Sequence, residues 1–116
     1  MIVNRAFFGK ENCLKVTLNN EKECYFHWGI KNKEKYEWVK VKFNDLELAE
    51  MINIFKGKKR SVAFFHEFKG NKRQIWVNSK DDFTFVKVKE LSKSLTQAEV
   101  TVMRILLENI IWRMSS

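Results

Sequence analysis

Short runs of β-branched and aromatic residues alternate with polar breaks through the first part of the chain. The breaks consist of Asn, Glu, Lys and Gly, which is the pattern of consecutive antiparallel strands joined by turns. We therefore predict four strands, at Val3–Phe8, Cys13–Leu18, Cys24–Ile30 and Tyr36–Phe43.

The fourth run has two different faces, because side chains alternate along a strand. The apolar face consists of Val39, Val41 and Phe43. The other face combines aromatic rings with positive charge, and its members are Tyr36, Trp38, Lys40 and Lys42. The pattern predicts that one side of this strand covers a core, while the other side presents a distinct surface.

A helix is predicted next, since Asn44 and Glu47 form a capping-box pair and Gly57 is a stop signal. Between them, apolar residues recur at the spacing of one helical face, at Leu48, Met51, Ile52 and Phe55. The strand pattern then repeats at Ser61–Phe68, Arg73–Asn78 and Phe83–Val88, with turns at Gly70-Asn71 and Asp81-Asp82.

The C-terminal segment is predicted to be a second helix, opened by the capping box of Thr96 and Glu99 and continuing to about Arg113. One broad face is apolar, with Val100, Met103, Leu106, Leu107, Ile110, Ile111 and Met114. A second apolar ridge lies outside that face, at Ala98, Val102, Ile105 and Trp112. We predict that Val102, Ile105 and Trp112 form a subunit interface. The alternative is that the first helix or a loop covers the ridge within the monomer.

These elements predict an α+β fold with two antiparallel β-sheets, each followed by a helix. The order is ββββα-βββ(β)α, where the parentheses mark a strand that the pattern leaves optional. At 116 residues, the chain fits a single domain spanning 1–116. Two cysteines are too few for a disulfide framework, and we see neither a secretory leader nor a membrane-spanning segment. We therefore expect a cytoplasmic protein, associated with the nucleoid if the source is prokaryotic.

The net charge of +8 and the pI of about 9.6 predict a polyanionic partner. The segment Lys56–Arg73 contains seven basic residues and one acidic residue, whereas the first predicted helix is acidic and the second is neutral. A protein that reads duplex DNA with a recognition helix needs positive charge on that helix. Neither helix fits that role, so the predicted sheets are the candidate binding surface.

Aromatic residues interleave with Lys and Arg in the predicted strands, a mixture that stacks unpaired bases and neutralises phosphates. We predict nucleic-acid contacts from Lys10, Lys15, Tyr36, Trp38, Lys40, Lys58, Lys59, Arg60, Lys69, Lys72, Arg73 and Trp76. Trp38 has an alternative role, as a core residue that holds the fourth strand against the first helix. Single-stranded DNA is the favoured ligand, and single-stranded RNA is the alternative.

Three segments are similar to those of a known family: Tyr36-Glu37-Trp38, Phe64-Phe65-His66-Glu67-Phe68-Lys69-Gly70, and Leu95-Thr96-Gln97-Ala98-Glu99-Val100 before the last helix. They resemble Whirly proteins, which bind single-stranded DNA. That family's Lys-Gly-Lys-Ala-Ala-Leu element is reduced here to Gly9-Lys10. The resemblance implies a homotetramer with the helices at its centre and DNA held with weak sequence preference along and between sheet edges. Related folds bind guide RNA in mitochondria, so RNA binding or annealing stays open.

No enzyme class is favoured by the sequence. Cys13, Cys24, His27 and His66 do not follow a usual zinc spacing, and neither histidine accompanies a nucleophile motif. We expect no catalytic residue, no metal and no cofactor. The competing hypothesis is an interaction scaffold, in which basicity keeps an oligomer soluble and the helix ridge recruits another protein.

Overall fold

The computed structural model describes residues 1–116 and contains two four-stranded antiparallel sheets, each followed by a helix. The predicted α+β class is therefore confirmed. The first sheet, sheet A, has the strand order β1-β2-β3-β4. Its strands are β1 (Val3–Phe8), β2 (Asn12–Leu18), β3 (Cys24–Asn32) and β4 (Lys35–Phe43).

The second half of the chain repeats this arrangement. Helix α1 (Asp45–Phe55) leads into sheet B, which has the order β5-β6-β7-β8. Its strands are β5 (Ser61–Phe68), β6 (Asn71–Lys80), β7 (Phe83–Val88) and β8 (Leu91–Leu95), and helix α2 (Gln97–Ser115) follows. The predicted strands and helices agree with these bounds to within two residues.

Two features of sheet B differ from the prediction. The optional strand is real: β8 pairs with β7 from Leu91 to Leu95 after a turn in which Lys89 has a φ of 52°. The β5–β6 turn is centred on Lys69 and Gly70, not on Gly70 and Asn71, because Asn71 already pairs with Phe68. Both turn residues have positive φ, as a type I′ turn requires.

Both helices begin as the sequence indicates. The Asn44 side chain accepts a hydrogen bond from the Glu47 amide and the Glu47 side chain accepts one from the Asn44 amide, and Thr96 and Glu99 repeat the arrangement. Helix α1 ends before Gly57, whose φ of 77° terminates the helix without a steric cost. The capping boxes thus fix where each sheet passes into its helix.

A single hydrophobic core lies between the inner faces of the two sheets and the two helices. The largest fully buried side chain is that of Trp28 on β3, and its indole N–H donates a hydrogen bond of 3.1 Å to the Val86 carbonyl on β7. A second link joins the sheets at the surface, where the Arg73 guanidinium donates to the Lys40 carbonyl over 2.8 Å. The sheets therefore hold a fixed relation to each other.

The second apolar ridge of α2 is not covered within the monomer. Val102, Ile105 and Trp112 are 40%, 55% and 74% exposed, respectively. The interpretation in which α1 or a loop covers this ridge is therefore wrong. Neither helix is both long and apolar enough to cross a membrane.

Candidate nucleic-acid surface

The outer face of sheet A consists of the alternate residues of β1 to β4 that point away from the core. Its central members are Lys15 on β2, Tyr25, His27 and Gly29 on β3, and Tyr36, Trp38, Lys40 and Lys42 on β4. Glu37 is the one acidic residue within these four strands, and it belongs to the opposite face. The outer face thus combines rings and ammonium groups without a carboxylate in its strand positions.

Trp38 is the most exposed aromatic ring at the centre of this face, with 46% of its surface accessible. It stacks on Tyr36, with ring centroids 5.6 Å apart and planes inclined by 28°. Trp38 does not pack between β4 and α1, so its alternative interpretation as a core residue is wrong. Its alternation with buried Val41 and Phe43 directs the ring outward.

Gly29 explains how Trp38 lies on the sheet. The two residues are directly opposite in the β3–β4 register, and a Cβ at position 29 would lie 2.8 Å from the indole ring. The ring therefore rests over the glycine backbone and reaches across β3. This places the Lys15 ammonium of β2 over the indole ring, at 5.0 Å from its centroid.

A second ring and ammonium pair lies further along β3 and β4. The Lys40 ammonium is 4.1 Å from the centroid of the Tyr25 ring. Such cation–π contacts contribute about 0.5–1 kcal/mol each at exposed positions. They hold two ammonium groups close to aromatic rings before any ligand arrives.

His27 lies between these two pairs and is held neutral. Its Nε2 is 2.9 Å from the hydroxyl of Thr17. Burial, and then the positive charges of Lys15 and Lys40, lower the pKa of His27 to about 4. At neutral pH the positive charge of this face therefore comes from its lysines alone.

An inter-sheet cleft opens beside the outer face of sheet A, where the edge of β4 meets β5 and β6. It has a volume of about 530 Å³ and is lined by Tyr25, Lys40, Val41, Lys42, His66, Glu67, Phe68, Asn71 and Arg73. Of these, Lys40 and Arg73 are contact residues that the sequence predicts. The other lining residues were missed because they come together only when the two sheets meet.

A histidine–carboxylate contact and an ion pair border this cleft. His66 Nε2 lies 2.6 Å from Glu47 Oε2, so β5 is tied to the first turn of α1. Lys42 lies 2.6 Å from Glu23, and this hydrogen bond raises the pKa of the lysine and lowers that of the carboxyl group. Lys40 and Arg73 have no such carboxylate partner.

The outer face of sheet B is a second, different surface. Trp76 is half-buried, and the Lys87 ammonium lies 5.6 Å from its ring centroid. On the neighbouring strand β5, Phe65 is 76% exposed. Glu67, also on β5, is directly opposite Lys72 on β6. A ring and cation are present here as well, but a carboxylate reduces the positive charge.

The basic segment between residues 56 and 73 is divided by the structure. Lys58, Lys59 and Arg60 precede β5, whereas Lys69 and Arg73 lie at its far end, about 25 Å away for an eight-residue strand. Lys59 is also paired with Glu50 at 3.2 Å. The three residues of the α1–β5 loop are therefore separated from Lys69 and Arg73 by the length of β5.

The remaining predicted contact residues lie at turns and edges. Lys10 is exposed in the β1–β2 turn, next to β3, where the Lys31 amide donates to the Glu11 carbonyl. Lys69 lies in the β5–β6 turn with its ammonium 5.4 Å from the Phe68 ring centroid. Lys10 thus borders sheet A, and Lys69 borders the inter-sheet cleft.

The structure brings together no group of three or more His, Cys, Asp or Glu residues that could hold a metal ion. Cys13 and Cys24 are buried and unpaired with each other. Burial raises the pKa of the Cys24 thiol to about 12 and also raises that of Cys13. Both thiols are therefore packed, protonated side chains at neutral pH.

Comparison with known proteins gives a match in structure but not in sequence. No family model and no curated protein matches the chain. Among solved structures, the chain is similar to one described as crystal structures of trypanosoma bruciei MRP1/MRP2, with a TM-score of 0.58 and 12% sequence identity. The match covers 94% of this chain and 82% of the other, so the two share a fold over almost the whole chain.

Proposed function

We propose that this protein binds single-stranded nucleic acid with little sequence preference and catalyses no reaction of its own. Single-stranded DNA is the favoured ligand, in line with the resemblance to Whirly proteins, and single-stranded RNA is the second candidate. Unpaired bases stack on the outward rings of sheet A, while Lys and Arg contact the phosphates.

One observation carries this proposal: the outer face of sheet A presents Tyr36 and Trp38 beside Lys15 and Lys40, with no carboxylate in its strand positions. A duplex hides the faces of its bases, so exposed rings gain little from contact with it. A scaffold for protein partners has no need of exposed rings paired with unneutralised lysines.

The interaction free energies favour replacement of the cation–π contacts of the unbound protein by stacked bases. A base stacked on an aromatic ring contributes about 1–3 kcal/mol, whereas an exposed cation–π contact contributes about 0.5–1 kcal/mol. An incoming base therefore displaces the ammonium groups from the Trp38 and Tyr25 rings. The displaced lysines are then beside the phosphates of the same nucleotides.

A competition experiment tests the proposal. A labelled 20-nucleotide single strand is titrated with the protein at about 100 mM salt and is then competed with unlabelled single strand or with duplex of equal length. We expect the single strand to compete at least tenfold better, and the affinity to fall steeply between about 50 and 200 mM salt. Equal competition by duplex would contradict the proposal.

We also propose that α2 forms the centre of a homo-oligomer, as the resemblance implies. Its exposed residues Ala98, Val102, Ile105, Asn109 and Trp112 follow the alternating four- and three-residue spacing of a coiled-coil seam. Sedimentation of the wild-type protein at tens of micromolar should show an oligomer, with a tetramer favoured. Ile105→Glu should yield monomers, and a monomeric wild type would contradict this assembly.

A further inference from the structure

The inter-sheet cleft has the size and the lining of a site for a small anionic ring compound. Its volume is about 530 Å³, within the range of small-ligand pockets. Its lining includes the Tyr25 and Phe68 rings and three cationic side chains, from Lys40, Lys42 and Arg73, against the single carboxylate of Glu67. A planar base that carries a phosphate matches this combination.

The polar groups of the cleft differ in whether they already have a hydrogen-bond or ionic partner within the protein. His66 is held by Glu47 at 2.6 Å, and Lys42 is neutralised by Glu23 at the same distance. Arg73 uses its Nη1 group on the Lys40 carbonyl over 2.8 Å, and a guanidinium has further N–H groups to donate. Lys40 and Arg73 are therefore the two cations available to an anion.

The cleft is continuous with the outer face of sheet A. Tyr25 and Lys40 form the ring and ammonium pair of that face, at 4.1 Å, and both also line the cleft. Phe68 closes the other side and is 72% exposed, with the Lys69 ammonium near its ring. A nucleic-acid strand that lies on Trp38 and Tyr25 reaches the cleft by crossing β4.

We infer that the inter-sheet cleft receives one nucleotide of the bound strand, with its phosphate at Lys40 and Arg73 and its base against Phe68. The inference rests on the proposed function and extends it, because it gives the bound nucleic acid a path across β4 towards sheet B. It also assigns a ligand contact to Phe68, which lies at the end of β5 on the second sheet.

A matched pair of phenylalanines tests this assignment. Phe68 and Phe65 are both on β5 and are 72% and 76% exposed, but they point to opposite faces of the strand. The probe is a fluorescein-labelled 12-nucleotide oligo(dT) followed by anisotropy. Phe68→Ala should weaken binding about fivefold or more, while Phe65→Ala should change the affinity less than twofold. Thermal melts check that each variant is folded.

The outcomes separate this inference from the proposed function. If Trp38→Ala weakens binding and Phe68→Ala does not, the cleft assignment is overturned while the proposed surface stands. If neither variant weakens binding, both are overturned. A loss with Phe65→Ala equal to that with Phe68→Ala would place the strand on the outer face of sheet B and overturn the cleft.

A charge variant provides an independent measurement. Arg73→Gln should reduce the slope of log affinity against log salt by about 0.7, the value for one phosphate contact on a single strand. Lys89→Gln, in the exposed β7–β8 turn, is the matched control and should leave the slope unchanged. An unchanged slope in Arg73→Gln would remove the phosphate contact and, with it, the proposed position of the nucleotide.

Discussion

Sheets A and B have the same topology but present different chemistry on their outer faces. Each is a four-stranded meander followed by a capped helix. Each also directs a tryptophan outward beside a lysine: the ammonium lies 5.0 Å from the ring centroid of Trp38 and 5.6 Å from that of Trp76. Trp38 is nevertheless exposed and stacked on Tyr36, while Trp76 is half-buried.

Strand position explains much of this difference, because β4 is an edge strand with one neighbour, whereas β6 pairs with both β5 and β7. Trp38 faces Gly29, which leaves room for the indole to lie on the backbone, whereas Trp76 faces Ala63 and Lys87. Sheet B also carries Glu67 on its outer face, directly opposite Lys72. A repeated architecture therefore does not make equivalent surfaces, because the position of the strand changes ring exposure and single residues change the local charge.

The largest expected effect comes from the two tryptophans. Trp38→Ala should weaken single-strand binding by about 10- to 100-fold, because a base loses its stacking partner. Trp76→Ala should weaken it less than about threefold. Anisotropy with a labelled single strand measures both, and comparable thermal midpoints exclude unfolding as the cause. Equal losses for the two variants would remove the distinction between the sheets.

The next comparison concerns charge. Lys15→Gln combined with Lys40→Gln should lower the salt slope of binding by about 1.4, since two phosphate contacts are lost. Lys58→Gln combined with Lys59→Gln removes the same charge from the α1–β5 loop and should leave the slope unchanged. A larger change for the loop pair would show that the ligand follows the loop and not the outer face of sheet A.

Gly29→Ala should have a smaller effect, because it displaces the Trp38 ring without removing it. The added Cβ would lie 2.8 Å from the indole, and we expect an affinity loss of about three- to tenfold, a fraction of a full stacking contribution. In a Trp38→Ala background, the same substitution should change the affinity less than twofold. An equal loss in both backgrounds would mean that Gly29 acts independently of the ring.

The smallest effect concerns the pH dependence of stability. Because the pKa of His27 is lowered to about 4 in the folded state, the unfolded chain binds the proton first as pH falls below about 6.5. His27 therefore reduces stability progressively between about pH 6.5 and 4, by less than about 1.4 kcal/mol per pH unit because the imidazole is half exposed. His27→Gln should make the thermal midpoint depend less on pH over this range. An unchanged dependence of the midpoint on pH would contradict the lowered pKa of His27.

Most of the fold could be predicted from local pattern. The capping residues Asn44 and Thr96 and the alternating apolar positions locate both helices and seven strands without tertiary information. Strand β8 was left optional because its polar positions, including the buried Lys93, obscure the alternation. That lysine is 4% exposed and donates to the adjacent Ser94 carbonyl, a placement that depends on packing.

The candidate surface was predictable only in part. Alternation in the fourth strand placed Tyr36, Trp38 and Lys40 on one face, as observed. The sequence does not show which residues are neighbours across strands or between sheets. The positions of Gly29 beneath the indole and of Phe68 in the cleft were therefore not predicted. Nearness in sequence also misled: the basic segment was treated as one unit, although β5 separates Lys58 and Lys59 from Arg73.

Photo-cross-linking identifies which sheet contacts the nucleic acid. A single strand substituted with 5-iodouridine is irradiated on the protein, and the linked peptides are identified by mass spectrometry. We predict cross-links to β4 at Tyr36 and Trp38, which are lost when unlabelled single strand is added in excess. Cross-links confined to β6 and β7, around Trp76 and Phe85, would contradict the assignment of the binding surface to sheet A.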